Sequence, residues 1–332
     1  MGSAGAVADY AWMALKLAYV GACNPTIKGR IRPAHPILAP RQLKRWSIAV
    51  LAIALALFIA GTAASWRKAR VSPDRPAPGG NTQFITVQPN VELEVLDFGG
   101  TGRPLVLLTG WGATAHAFAS FSTQLTKKYH AYGITRRGFG LSSAPTSGYT
   151  AERLGDDVVA VLDALKLVRP VLVGCSFGGE ELSSVATFHP ERISGLIYLD
   201  AGYGYALYDQ VDGNLTMRIA PIARVVEALL PSALEPTLLA VTAGQRKFTE
   251  LHVPVLAIFA DPHDQGSKNK DPGQRAKAEA QDFERTERQA NAFQRQVPSA
   301  RIVRIPHAAH DIIHSNEADV LNAMNAFIGS LH

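Results

Sequence analysis

Val171-Leu172-Val173-Gly174-Cys175-Ser176-Phe177-Gly178-Gly179 is the stretch whose reading decides the fold. Its first residues are an apolar run of the length and type of a buried strand. The small-residue segment Glu180–His189 then reads as a helix. Between them stands a Gly-x-Ser-x-Gly pattern in the context that gives it meaning. A strand turning directly into a helix strains the serine backbone and lifts its hydroxyl above the sheet. Gly174 and Gly178 are required because a side chain would clash in so tight a turn.

Working outward, strand-like and helix-like stretches alternate from residue 83 onward, the pattern of an α/β fold around a parallel sheet. Gln83–Gln88 and Val91–Asp97 read as an opening antiparallel pair. Pro104–Thr109 is a continuous apolar run, as a strand covered on both faces should be. A helix is expected over about 115–128, a strand at 130–134 and a helix over Ala151–Leu167. Further strands are expected at Leu196–Asp200, Pro254–Ala260 and Ile302–Ile305, and a last helix over about 313–330. No internal repeat is present.

Four more segments stand in a recognisable order around the serine turn. They are Thr109-Gly110-Trp111-Gly112, Arg137-Gly138-Phe139-Gly140-Leu141-Ser142, Val253-Pro254-Val255-Leu256 and Ile305-Pro306-His307-Ala308-Ala309-His310. With them, residues 83–332 resemble the α/β-hydrolase family. Two positions depart from the family pattern: Thr109 replaces a customary histidine, and Thr135 an aspartate often found two residues before the arginine. The resemblance implies a mostly parallel central sheet with helices on both faces. It also implies a short cap between the sixth and seventh strands, about 202–251. That insertion carries Tyr203, Tyr205, Tyr208, Met217, Leu229 and Leu230, which suits a hydrophobic ester-like substrate.

A serine hydroxyl needs a neighbouring base to act as a nucleophile. Of ten histidines, His307 and His310 lie in the loop after the last strand. The family's placement selects His310, leaving His307 and His314 as surface or supporting groups. A carboxylate must fix the tautomer of that base and stabilise its imidazolium. Asp264 gives the chain order Ser, Asp, His expected of this fold. In the family the acid commonly sits three residues after a strand-ending glycine; Ala260 holds that place and Pro262 lengthens the turn. Asp200, at the end of the preceding strand, and Asp261 are its rivals. Backbone N–H groups of Phe177 and Trp111 are the expected oxyanion donors. Cys175 reads as packing beneath the nucleophile. The mixed-charge stretch Lys268–Arg288 reads as a solvated helix. The implied activity is a serine hydrolase of carboxylesterase or lipase type working through an acyl-enzyme, with no metal or organic cofactor. The alternative is a non-catalytic ligand-binding module of the same fold.

The charge of this 332-residue chain divides unevenly. Hydrophobic residues make up 47% and charged residues 18%, which excludes wholesale disorder. Cys23 and Cys175 have no paired spacing, which excludes a disulfide scaffold or a cysteine-rich zinc module. Residues 1–82 hold 11 Lys+Arg against Asp9 and Asp74, whereas residues 83–332 hold 22 against 26 acidic residues. A nucleic-acid-binding domain would need a basic face that the acidic body gives little reason to expect. Between Arg45 and Arg67 no charged residue occurs, and residues 47–66 are long enough to cross a bilayer. Basic residues flank that run, and Trp46 and Trp66 sit where interfacial aromatics belong. The expected organisation is therefore a basic extension at 1–46, a membrane segment at 47–66, a Pro/Gly linker at 67–82 and the catalytic domain at 83–332. The basic excess on the N-terminal side places that domain outside the cytoplasm, with secretion after cleavage near residue 64 as the alternative.

Overall fold

A computed structural model describes residues 81–202, 205, 251–266 and 269–331. The expected extension and membrane segment lie outside the described residues, as do most of the linker and most of the cap. Among the described residues no helix is long and apolar enough to cross a membrane.

The chain opens on β1 (Asn81–Gln88) and β2 (Val91–Gly99). β1 therefore starts two residues earlier than the sequence pattern suggests. β3 (Pro104–Leu108), a short 3-10 turn (Ala115–Phe118), α1 (Ala119–Leu125) and β4 (His130–Ile134) follow. Next come α2 (Ala151–Ala164), β5 (Val171–Cys175), α3 (Gly178–Phe188) and β6 (Gly195–Leu199). After the cap region come β7 (Val255–Ala260), α4 (Pro272–Gln296) and β8 (Arg301–Ile305). The last helix, expected to be continuous, is divided at Asn316 into α5 (Ile312–Ser315) and α6 (Glu317–Ile328).

The strands form one eight-stranded sheet in the order β1-β2-β4-β3-β5-β6-β7-β8. Only the β1–β2 and β2–β4 pairs are antiparallel. Alternation along each central strand builds two cores. Val106, Leu172, Tyr198 and Phe259 face α2, α3 and α4, whereas Leu107, Val173, Ile197 and Ile258 face α1 and α6. Both faces are apolar because both are covered. This leaves the carboxyl ends of β3, β5, β6, β7 and β8 as one edge where loops meet, the usual place for a site in an open α/β sheet.

Candidate active site

Ser176 sits in the turn between β5 and α3 with φ +49°, a left-handed backbone that a β-carbon makes costly. The turn is held by Ser176 N–H donating to the Leu199 carbonyl at 3.1 Å and by Gly179 N–H donating to the Ser176 carbonyl at 3.0 Å. Both flanking glycines are required by space. A β-carbon at Gly174 would stand 2.7 Å from the Gly178 backbone, and one at Gly178 would stand 2.5 Å from the Leu108 carbonyl oxygen.

His310, in the loop between β8 and α5, lies with Nε2 3.0 Å from Ser176 Oγ. Its Nδ1 lies 2.6 Å from Oδ2 of Asp200, not from Asp264. Asp264 is exposed, and its Oδ1 accepts the N–H of Gly266 at 2.7 Å. The reason is alternation. His263 bridges to Ala308 in the strand-like loop after β7 and turns inward, so its neighbour turns outward. Asp261 is buried but engaged elsewhere, accepting from Thr286 Oγ1 at 2.6 Å and Arg304 Nη1 at 2.9 Å. His307 is exposed, and His314 pairs with Asp311 and Ser120 on the surface.

Asp200 has φ +45°, which swings its carboxylate off the end of β6. Oδ1 accepts the N–H of Ala260 at 3.1 Å, and Oδ2 accepts from a second imidazole, His263 Nε2, at 2.7 Å. His263 Nδ1 in turn meets Asp282 Oδ2 at 2.9 Å, and that oxygen also accepts the His263 backbone N–H at 2.7 Å. Burial alone would raise the pKa of Asp200; the charge of His263 and hydrogen bonds from both histidines hold it well below the usual carboxylate range. Burial opposes charge on His263, but Asp200 and Asp282 override it and raise its pKa to about 9. Neither His263 nor Asp282 was singled out by the sequence patterns. Asp282 lies in the mixed-charge stretch, which is helical from Pro272 onward, but one face of α4 is buried through Asp282, Thr286, Ala290 and Phe293.

Asp200, His263 and His310 offer donor atoms within 4.8 Å of one another, close enough to raise the question of a metal. Their N···O separations of 2.6 and 2.7 Å are hydrogen-bond lengths. Ligands about 2.0–2.1 Å from a tetrahedral ion would stand roughly 3.3 Å apart. The group is a hydrogen-bonded chain.

The loop after β3 backs directly onto Ser176: a β-carbon at Gly110 would stand 3.2 Å from Ser176 Cβ. Trp111 packs edge-on against Phe177 and Phe139, with ring centroids 5.4 and 5.6 Å apart. Beneath them Arg136 forms a buried bidentate pair with Glu181 at 2.7 and 2.6 Å and donates to the Thr109 carbonyl at 2.8 Å. The next arginine pairs as tightly, Arg137 reaching both oxygens of Asp157 at 2.5 Å. The two threonines that depart from the family pattern are bonded locally. Thr109 Oγ1 donates to the Ala113 carbonyl at 3.1 Å, and Thr135 Oγ1 donates to Glu94 at 2.7 Å. Cys175 is half-buried, and burial pushes its thiol pKa up, as fits a packing residue.

A family model described as alpha/beta hydrolase fold matches residues 103–220. An AB hydrolase superfamily protein of Bacillus subtilis is 32% identical over 138 residues, covering 38% of this chain and 51% of the relative. A 2-hydroxymuconate semialdehyde hydrolase of a Pseudomonas strain is 33% identical over 118 residues, covering 34% and 42%. The chain thus spans about half or less of the length of these curated relatives. Among solved structures, a bromoperoxidase from Bacillus anthracis superposes with a TM-score of 0.55 at 21% identity, covering 75% of this chain and all of that one. An E-2-(acetamidomethylene)succinate hydrolase superposes with a TM-score of 0.51 at 18% identity, covering 76% of this chain and 100% of that one. The chain has the α/β-hydrolase fold.

Proposed function

We propose that the chain is a serine hydrolase that cleaves an ester-like bond through an acyl-enzyme. The observation that carries this reading is the continuous contact Ser176 Oγ–His310 Nε2–His310 Nδ1–Asp200 Oδ2, at 3.0 and 2.6 Å. Ser176 Oγ attacks the carbonyl carbon while its proton passes to His310 Nε2. Asp200 holds the Nδ1–H tautomer and stabilises the imidazolium that forms. Backbone N–H groups of Phe177 and Trp111 receive the oxyanion, where fixed donors act most strongly. Collapse of the tetrahedral intermediate returns the proton to the leaving alcohol. Water, deprotonated by His310, then releases the acid and restores Ser176.

Names among the relatives favour hydrolytic chemistry of this kind. They include a 3-oxoadipate enol-lactonase of Acinetobacter baylyi, 32% identical over 114 residues covering 34% of this chain and 42% of the relative. The remaining part of the proposal is membrane attachment through residues 47–66, supported by their length, basic flanks and bordering tryptophans. Detergent dependence of the full chain, lost on deleting residues 1–70, tests the anchor. A fluorophosphonate probe tests the chemistry. It should label the full chain and fail to label Ser176→Ala, whose kcat on p-nitrophenyl esters should fall roughly 10⁴–10⁶-fold. Residual hydrolysis within tenfold of wild type overturns the reading.

A further inference from the structure

We propose that His263 is a positioning residue for the proposed catalytic chain, a buried imidazolium that shares Oδ2 of Asp200 with His310 and tempers the negative charge His310 feels. The inference rests on the Ser176–His310–Asp200 reading and deepens it.

Asp200 and Asp282 both have lowered pKa values, and with two ionised carboxylates facing the ring the geometry sets its protonation state. Both ring nitrogens of His263 face carboxylates, Nε2 at 2.7 Å from Asp200 and Nδ1 at 2.9 Å from Asp282. A neutral imidazole has one N–H and one lone pair, so one carboxylate would then face a lone pair. A doubly protonated ring satisfies both. The side chain is 12% exposed and the two carboxylates only 1% and 3%, so water cannot substitute for the missing proton. The pKa of His263, raised to about 9, agrees.

The surroundings define what this cation does. Asp200 faces it from the end of β6, Asp282 and Arg285 from α4, and His310 from the loop after β8. Asp261 and Arg304, beside the same turn, pair with each other at 2.9 Å. The rings of His263 and His310 stand 6.0 Å apart, centroid to centroid. His263 therefore has two effects on the base. It fixes Oδ2 in place, opposite the Ala260 N–H that holds Oδ1 at 3.1 Å. It also places a positive charge beside the carboxylate that His310 faces, offsetting part of the negative charge there. The acid limb of the pH–rate profile reads how much of the Asp200 charge is offset in this way. The loop is pinned to this arrangement by backbone contacts. Asp264 N–H donates to the Ala308 carbonyl and His307 N–H to the Pro262 carbonyl, both at 2.8 Å.

His263→Gln keeps an amide donor for Asp200 and removes the charge. Asp282→Asn leaves the ring in place but removes the second carboxylate that demands its second proton. The full chain and both variants are assayed for kcat/KM on a p-nitrophenyl ester from pH 5 to 10, and nitrogen-15 NMR reads the protonation of the His263 ring in wild type and Ser176→Ala. We expect the acid limb of the profile to move up by about one pH unit in His263→Gln, and by less in the same direction in Asp282→Asn. The high-pH plateau should change far less than the limb, because the glutamine amide still donates to Oδ2 of Asp200 and wild type itself loses the His263 charge above about pH 9. The ring should be doubly protonated at pH 7.5. A uniform loss of rate with an unmoved acid limb, or a singly protonated ring at pH 7.5, overturns the proposal. If wild type itself neither hydrolyses the ester nor labels at Ser176, the functional reading fails instead, and the ring measurement still decides the state of His263.

Discussion

Oδ2 of Asp200 lies 2.6 Å from Nδ1 of His310, although 110 residues separate them in sequence. The sheet order explains the meeting. β6 lies between β5, after which Ser176 stands, and β7, so a histidine reaching from the loop after β8 to Ser176 passes over the end of β6. The positive φ of Asp200 turns it towards the histidine loop, and the Ala260 N–H holds its other oxygen.

This relationship predicts the outcome of paired Asp→Asn changes. Asp200→Asn keeps the shape of the side chain but removes the charge that fixes the His310 tautomer, so kcat should fall about 10⁴-fold. Asp264→Asn should cost less than tenfold, because among the described residues its carboxylate accepts the N–H of Gly266 and does not meet His310. Steady-state rates of the two variants decide between them. A larger loss at Asp264 would remove Asp200 from the proposed mechanism.

The contrast shows where the sequence was informative. The serine turn and the alternation of strands and helices follow from local patterns, apolar runs and glycine spacing; position after a strand leaves His307 and His310, and the family resemblance selects His310. The carboxylate does not. Asp200 follows β6, Asp261 and Asp264 both follow β7, and what separates the three is the local direction of the backbone. Asp200 has a left-handed φ, Asp261 is taken by Thr286 and Arg304, and Asp264 falls on the outward side of a strand-like loop. His263 and Asp282 are harder still, because their partnership joins a loop to a helix 19 residues on. A mixed-charge helix reads as solvated until its packing face is known.

Stability should carry the signature of the buried charges. His263 has a raised pKa, so its contribution is full below the ordinary histidine value of 6.5 and is lost as pH rises through about 9. Asp200 and Asp282 have lowered pKa values, so their contribution is present above the ordinary carboxylate value of 3.8 and is lost as pH falls below it. Thermal melts of wild type and His263→Gln should therefore differ most near pH 6, with the gap narrowing by on the order of 2 kcal/mol towards pH 10. A gap constant across that range would mean His263 carries no extra proton in the folded state.

Gly178→Ala tests the steric account of the turn. The new methyl would stand 2.5 Å from the carbonyl oxygen of Leu108, in the backbone of a central strand that cannot yield. The expected cost is about 2–3 kcal/mol, seen as a fall in Tm of roughly 5–10 °C, with a loss of activity as Ser176 is displaced. Gly112→Ala is the control. Nothing lies within 4 Å of a β-carbon there, so only its φ of +75° opposes the change, at about 1 kcal/mol. Equal destabilisation at both positions would refute the packing argument.

Arg136 and Glu181 offer the sharpest separation of stability from function. Both are buried, and the guanidinium also donates to the Thr109 carbonyl at 2.8 Å and the Gly110 carbonyl at 3.4 Å while lying 4.6 Å above the Phe177 ring. One side chain thus ties the start of α3 to the loop that backs onto Ser176. Arg136→Met strands the Glu181 carboxylate in the interior and should destabilise by about 3–5 kcal/mol. Adding Glu181→Leu removes the stranded charge and should restore most of that loss, since apolar replacements of buried ion pairs are well tolerated. Activity should not return with it. The Thr109 and Gly110 carbonyls still lack their donor, so the loop proposed to present the Trp111 N–H stays loosened. Chemical denaturation and esterase rates on the two variants read the two effects apart. If the double variant regains full activity together with its stability, Arg136 has no part in holding the oxyanion loop.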